Sequence, residues 1–462
     1  MRESLKSDIN DLRVRMSDAV TSEKCMAIYV ISFMITIPVV ELISQFNGVI
    51  FGVSEYMITV FSVIGLFLCS LNLYLNNKRH WSDFFFITLH IFMFLSLIFS
   101  SNMGSLQEVT FIDIEFPHDV IAYYCAMFAA FRLSSFKYRK NVVFTFIGVS
   151  ILQFTVGIFQ SFGIRIIPPQ WELFKDEITH AMYGITQNSN YYGGLTVLLF
   201  GLFTSLFIFA ENKSQKVISG ILLVISTYCT VNSMARLAWI GDLFVFVFFA
   251  VSATVMIRMD RSNDRYRVYL KRFLFSFVFI LTGVLLSIAN PYERTAILDK
   301  LFKFSDEANK GVGELGSSRL YIWRFCLESI PKHWVTGIGF SNILQCFFEN
   351  PNYIPRAYTT THAHNVYLHI LTTQGVFSFI NYMTFLIISV VKAVKKIINT
   401  DDNKERILTW TFLAMFTGYA VASFFNCRIS YIEFYFYIVI GLMNPISVEA
   451  RKRPNGALRK AG

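Results

Sequence analysis

The chain has 462 residues, 54% of them hydrophobic and 49 of them Phe, and a mean hydropathy of +0.49, which is more apolar surface than a water-soluble core can hide. Its net charge of +10 sits in short clusters between apolar runs rather than on one polar face, which argues against a nucleic-acid-binding protein. No Pro/Gly/Ser-rich tract divides the chain, so a single membrane domain is expected.

Residues 1–25 carry Arg2, Lys6, Arg13, Arg15 and Lys24, with Leu5, Ile9, Leu12, Met16 and Val20 at helical spacing. They read as an amphipathic helix on the cytoplasmic membrane surface or as a solvated tail. Twelve apolar windows follow, near 26–45, 56–75, 83–101, 119–134, 142–163, 191–210, 216–232, 237–257, 272–290, 376–395, 407–425 and 429–446. Each is about long enough to cross a hydrocarbon core. The expected fold is an all-α polytopic membrane protein of about twelve transmembrane helices, nine within 26–290 and three within 364–446. The crowding from 191 to 257 leaves room for one broken or re-entrant helix.

Lys and Arg near span ends resist translocation. The 1–25 segment and every second connection together hold 29 of the 41 Lys and Arg, which predicts that both termini are cytoplasmic, the basic tail 447–462 included. The other face then receives 291–363, a connection of roughly 70 residues where turns between helices usually need only a few. This loop is expected to carry function. Cys326 and Cys346, which lie in it, are candidates for a disulfide. Cys25, Cys69, Cys125 and Cys229 fall in or beside spans, where a thiol is a small hydrophobe.

Three constellations on that outer face carry chemistry. The first is Asn232-Ser233-Met234-Ala235-Arg236, a short turn between spans seven and eight. Arg236 there either snorkels to headgroups or offers its fixed donors to a phosphate group. In the second, Gly316-Ser317-Ser318-Arg319 precedes a helical pattern of Leu320, Trp323, Leu327 and Ile330 that Pro331 stops. Ser317 or Ser318 reads as the N-cap, and Arg319 in the first turn makes either an anion site or an ion pair with Glu314 or Glu328. The third is His362-Ala363-His364-Asn365, immediately before an apolar helix. His364 is a candidate general base or a helix cap. A His-x-His pair also suits zinc, but no carboxylate or Cys stands near it at ligand spacing, so neither metal nor cofactor is expected. Gly337-Ile338-Gly339 reads as a turn that folds the loop back, and Glu41, His90, Asp242 and Glu433 in or near spans read as liners of a cavity.

In this order, Ser233 to Arg236, Ser317 to Arg319 with Gly337 and Gly339, and His364-Asn365 resemble the O-antigen ligase and polysaccharide polymerase superfamily of bacterial inner-membrane glycosyltransferases, over roughly 180–395. The run Gln187-Asn188-Ser189-Asn190-Tyr191-Tyr192-Gly193 is similar to that family's Asn-rich entry to a span, where Asn190 binds sugar or caps the helix. The ligase pattern asks for His, then Asn, Ser or Gln, nine residues, Gly, two residues and a Gly, Thr or Tyr. Here His364, Asn365 and Gly375 fit, and Ser378 departs.

The resemblance implies a glycan donor on undecaprenyl diphosphate at the periplasmic face of the inner membrane, with lipid A-core as acceptor for a ligase or another lipid-linked glycan for a polymerase. It implies His364, Arg319 and Arg236 as catalytic residues and Asn365, Ser318, His362 and Asn190 as substrate-binding ones. A secondary transporter is the rival from another class, because twelve spans with both ends inside is also a transporter plan. The absence of an evident internal repeat and the one-sided placement of the long loop speak against it.

Overall fold

The computed structural model describes residues 22–46, 52–76, 79–98, 117–164, 166, 181–186, 188–259, 264–300, 319–340, 342–348, 362–426 and 432–446. The amphipathic reading of the N-terminal segment and the basic tail 447–462 lie outside them, except for Ser22 to Cys25 at the segment's end. Among the described residues the regular structure is helical: α1 (Glu23–Phe46), α2 (Gly52–Leu75), α3 (Trp81–Ile98), α4 (Pro117–Phe131), α5 (Phe136–Ser161), α6 (Ser189–Ile208), α7 (Lys213–Asn232), α8 (Arg236–Met259), α9 (Asp264–Ala289), α10 (Arg319–Ser329), α11 (Leu344–Phe348), α12 (Val366–Asn399), α13 (Asn403–Ala422) and α14 (Glu433–Met443).

Each of the twelve predicted windows meets a helix, but ten of the helices are long and apolar enough to cross a membrane. The exceptions are α4, with 15 residues, and α14, with 11. Both lie almost wholly inside the bundle, every residue of α14 being buried, and they run side by side: Tyr123 stacks on Tyr437 and the Ile446 N–H donates to the Phe131 carbonyl. A helix covered by other helices meets no lipid, so apolarity there reports protein packing and not a span length.

The lipid-facing helices show the opposite. Val63 and Phe67 on α2, Leu274 on α9 and Ile387 on α12 are more than half exposed, a surface that only hydrocarbon makes tolerable. The interior instead uses small residues for close approach. A Cβ at Gly201 of α6 would stand 3.0 Å from the Met415 Cα of α13, which is the small-residue contact expected between membrane helices.

The crowded region from 191 to 257 resolves into three separate helices, α6, α7 and α8. The α6–α7 turn is closed by a capping box in which Asn212 Oδ1 accepts from the Gln215 N–H and Gln215 Oε1 accepts from the Asn212 N–H, satisfying donors that a helix start leaves open. At the end of the bundle where the basic residues 132–140 lie, Arg132 is buried against Asp83, with Asn72 and the Phe128 ring as further partners. Arg139 pairs there with Glu405. Burying these cations is compatible with the fold because each is paired.

Span ten begins earlier than its apolar window. Helix α12 starts at Val366 and is interrupted at Gly375, whose φ of 79° and ψ of 176° are non-helical. The residues read as cavity liners are largely engaged inside the protein: Glu41 accepts from Gln45 and Ser54, Glu433 from Tyr419, and His90 Nδ1 meets the Phe86 carbonyl.

Candidate active site

Asn365 stands in extended backbone and its Oδ1 accepts from the Leu368 N–H at 3.0 Å, capping α12. The cap is therefore Asn365, which relieves His364 of that role. His364 itself takes φ +47°, a left-handed conformation that costs a side-chain-bearing residue about 1–2 kcal/mol. The neighbouring Ala363 is fully buried and its carbonyl accepts from Trp323 Nε1 at 2.9 Å, so the turn is clamped from both sides. Burial, followed by the positive charge of Arg319 and then by His362 and His369, pushes the His364 imidazole down to about 3. It is neutral at physiological pH, able to accept a proton.

Arg319 is the first residue of α10. The helix lays Ile322, Phe325 and Cys326 on Ile338, Ile343, Cys346, Phe347 and Ala363, a small core separate from the main one. This cap holds Arg319 where its charge reaches His364. Cys326 and Cys346, candidates for a disulfide, are both free buried thiols. They serve as filling in that core. Glu328 accepts from Arg324 at 2.7 Å, and Ser318 lies outside the described residues, as do Ser317 and Glu314.

Gly337 and Gly339 do more than fold the loop on itself. The break at Gly375 frees the Thr372 and Thr373 carbonyls of α12, and the Ile338 and Gly339 N–H groups take them at 2.9 and 3.1 Å, while the Val376 N–H donates to the Trp334 carbonyl. The loop is thus stitched into the interrupted helix. A Cβ at Gly337 would lie 2.3 Å from the Thr373 backbone, and one at Gly375 would lie 2.2 Å from the Val335 oxygen. Glycine is required at both, by close approach and by positive φ.

Arg236 opens α8 after Met234, whose φ is +54°. Ser233 Oγ accepts from the Ala235 N–H and donates to the Thr230 carbonyl, and Asn232 is tied to Tyr228 and Ser287. Among the described residues Met234 and His364 are the two non-glycine residues with positive φ, and strain of this kind concentrates at functional turns. The turn sits at the end of the bundle that carries the cap: Ala235 and Ala238 pack with Ala422 and Phe425, and the Phe425 ring meets Trp323, which holds Ala363. Helix α6 starts at the same end, since a Cβ on Gly193 would touch Ala235. Its cap is Asn188, which accepts from the Asn190 N–H, so Asn190 is relieved of capping.

The segment that carries these turns matches a known family model. Residues 221–383 match the model described as O-antigen ligase. Over that stretch the chain is similar to the O-antigen ligase family. The matched segment runs from α7 into α12 and so contains Arg236, Arg319, Gly337, Gly339, His362, His364, Asn365 and Gly375, whereas Asn190 precedes it. No curated protein matches the chain.

One further residue of the matched segment stands outside its motifs. His369 is buried one turn into α12, and its ring lies 5.5 Å from that of His362. Its charge also acts on His364. The signal was present, because an imidazole inside an otherwise apolar membrane helix is a functional-site candidate by default.

Proposed function

We propose that this protein transfers a glycan from undecaprenyl diphosphate to lipid A-core at the periplasmic face of the inner membrane, with His364, Arg319 and Arg236 as its catalytic residues. The observation that carries the reading is the clamped, left-handed turn at His364, where the charge of Arg319 acts on the imidazole. In the reaction the acceptor hydroxyl oxygen attacks the anomeric carbon of the donor, the bond from that carbon to the diphosphate oxygen breaks, and the hydroxyl proton passes to His364. Negative charge develops on the departing diphosphate. Arg319 and Arg236 would stabilise it at a site poor in water, where each contact is stronger.

The low basicity of His364 fits this sequence of events. Burial depresses it most and Arg319 next, and a diphosphate neutralising that arginine would lift the second of these contributions. Asn365, Ser318, His362 and Asn190 are assigned to substrate contacts. The excess of Lys and Arg on the opposite face supports the periplasmic placement.

A second reading, polymerisation of lipid-linked repeat units, is favoured by Ser378 in place of the ligase pattern's last residue. Ser378 donates to Gln374 Oε1 across the α12 break. Surface-polysaccharide gels of a deletion strain carrying wild type or His364→Ala separate the readings. Loss of a ligase leaves bare core outside and polymer on its carrier, whereas loss of a polymerase leaves single repeat units on the core. Normal polysaccharide from His364→Ala at equal protein level rejects both.

A further inference from the structure

The first turns of α2 and α4 bring together three groups that the proposed transfer reaction leaves unused. His118 Nε2 lies 3.5 Å from Glu55 Oε2 and 3.6 Å from Asp119 Oδ1, and all three ligand atoms lie within 4.8 Å of one another. Asp119 is fully buried and the other two are partly exposed. Acidic residues in a first helical turn are ordinary, since they meet the positive end of the helix dipole. That accounts for the carboxylates and not for an imidazole nitrogen placed between them.

The distances exclude a close hydrogen bond and fit either a loose ion pair or a shared metal ion. A charge-assisted hydrogen bond from imidazolium to carboxylate closes to about 2.7–2.9 Å. Nitrogen and oxygen ligands bonded to one tetrahedral zinc at 2.0–2.2 Å are instead separated by about 3.3–3.5 Å, the edge of the tetrahedron. Of the observed separations, 3.5 Å falls at the upper end of that range and 3.6 Å just beyond it. One imidazole and two carboxylates also form a ligand set that zinc accepts, with net charge that a dication cancels.

We infer that Glu55, His118 and Asp119 hold one zinc ion that clamps the start of α2 to the start of α4, with a fourth position open to water. The place is reachable from the end of the bundle that bears the candidate active site. Ser54, next to Glu55, donates to Glu41, and Gln45, one turn further along α1, donates to the Ile185 carbonyl just before Asn188. The ion would stand apart from the proposed transfer, since its ligands belong to helices outside the matched segment, and the inference stands whether or not the transfer reaction does.

The test uses the full chain in detergent, purified without a histidine tag, stripped with a chelator and reloaded with zinc alone. Expected are one zinc per chain by atomic emission, a higher melting temperature on loading, and tetrahedral d–d absorption when cobalt replaces zinc. His118→Ala and Asp119→Asn should each reduce bound metal to background. Glu55→Gln, a conservative change at a partly exposed position, keeps the test open should those two fail to fold, and it should weaken zinc binding at least tenfold. His364→Ala should leave zinc bound. Folded wild type that takes up no zinc, octahedral cobalt spectra, zinc retained by Glu55→Gln at wild-type affinity, or zinc lost in His364→Ala would each overturn the assignment.

Discussion

At the scale of single residues, the arrangement makes the arginines and the histidine unequal. On the proposed reading His364 is the proton acceptor, and His364→Ala is expected to slow transfer about 10²–10⁴-fold. Arg319→Ala would remove a donor from the developing diphosphate charge of the proposed reaction, for about 10²–10³-fold. Arg236→Lys should also be slow, because an ammonium lacks the planar two-point grip of a guanidinium. Initial rates with purified donor lipid in detergent check all three, and a Lys variant at wild-type rate would reduce Arg236 to a headgroup anchor.

His364 also makes stability depend on pH. Its value is about 3 in the folded protein, against an ordinary 6.5. As the pH falls below 6.5 the unfolded chain takes up a proton that the folded chain refuses until near 3, so folding loses stability through that window. Between pH 7 and pH 5 the loss is about 2 kcal/mol. Melting in detergent should show a larger drop for wild type than for His364→Gln, and equal drops would contradict the depressed value.

Among the helices, α12 is the one whose interruption matters. Its break at Gly375 is held open by backbone hydrogen bonds from residues 334–339, and both glycines there leave no room for a Cβ. Gly337→Ala and Gly375→Ala are each expected to cost more than about 2 kcal/mol of stability, through backbone strain and displaced hydrogen bonds. By contrast Gly148, within α5 with open space around it, should accept Ala with a gain of up to about 1 kcal/mol. Thermal melts of the three variants side by side give the comparison. The Gly-x-Gly turn was legible as a turn because glycine punctuates local structure, but nothing local reveals that its partner is a helix break further along the chain. Likewise the Asn365 cap follows from adjacent residues, while His369 gains meaning only once its ring is seen against His362.

For the molecule as a whole, the orientation rests on the charge bias. Single cysteines placed in 260–263 and in 301–318 should differ in labelling by a membrane-impermeant maleimide on intact spheroplasts, the second set reacting and the first only after lysis. The reverse pattern would put the candidate site on the cytoplasmic face and end the proposed reaction. Helical class, membrane residence and the three motif turns were determined by the sequence alone, because hydropathy, capping and Gly signals act over a few residues and need no partner. Which apolar helices could span was decided by tertiary structure: α4 and α14 are as apolar as their neighbours, yet other helices cover them. The same holds for the free thiols of Cys326 and Cys346, for Arg319 beside His364, and for Glu55 meeting His118 and Asp119. Each depends on contacts between segments remote in sequence, whose energies are set by which surfaces the packed bundle brings face to face.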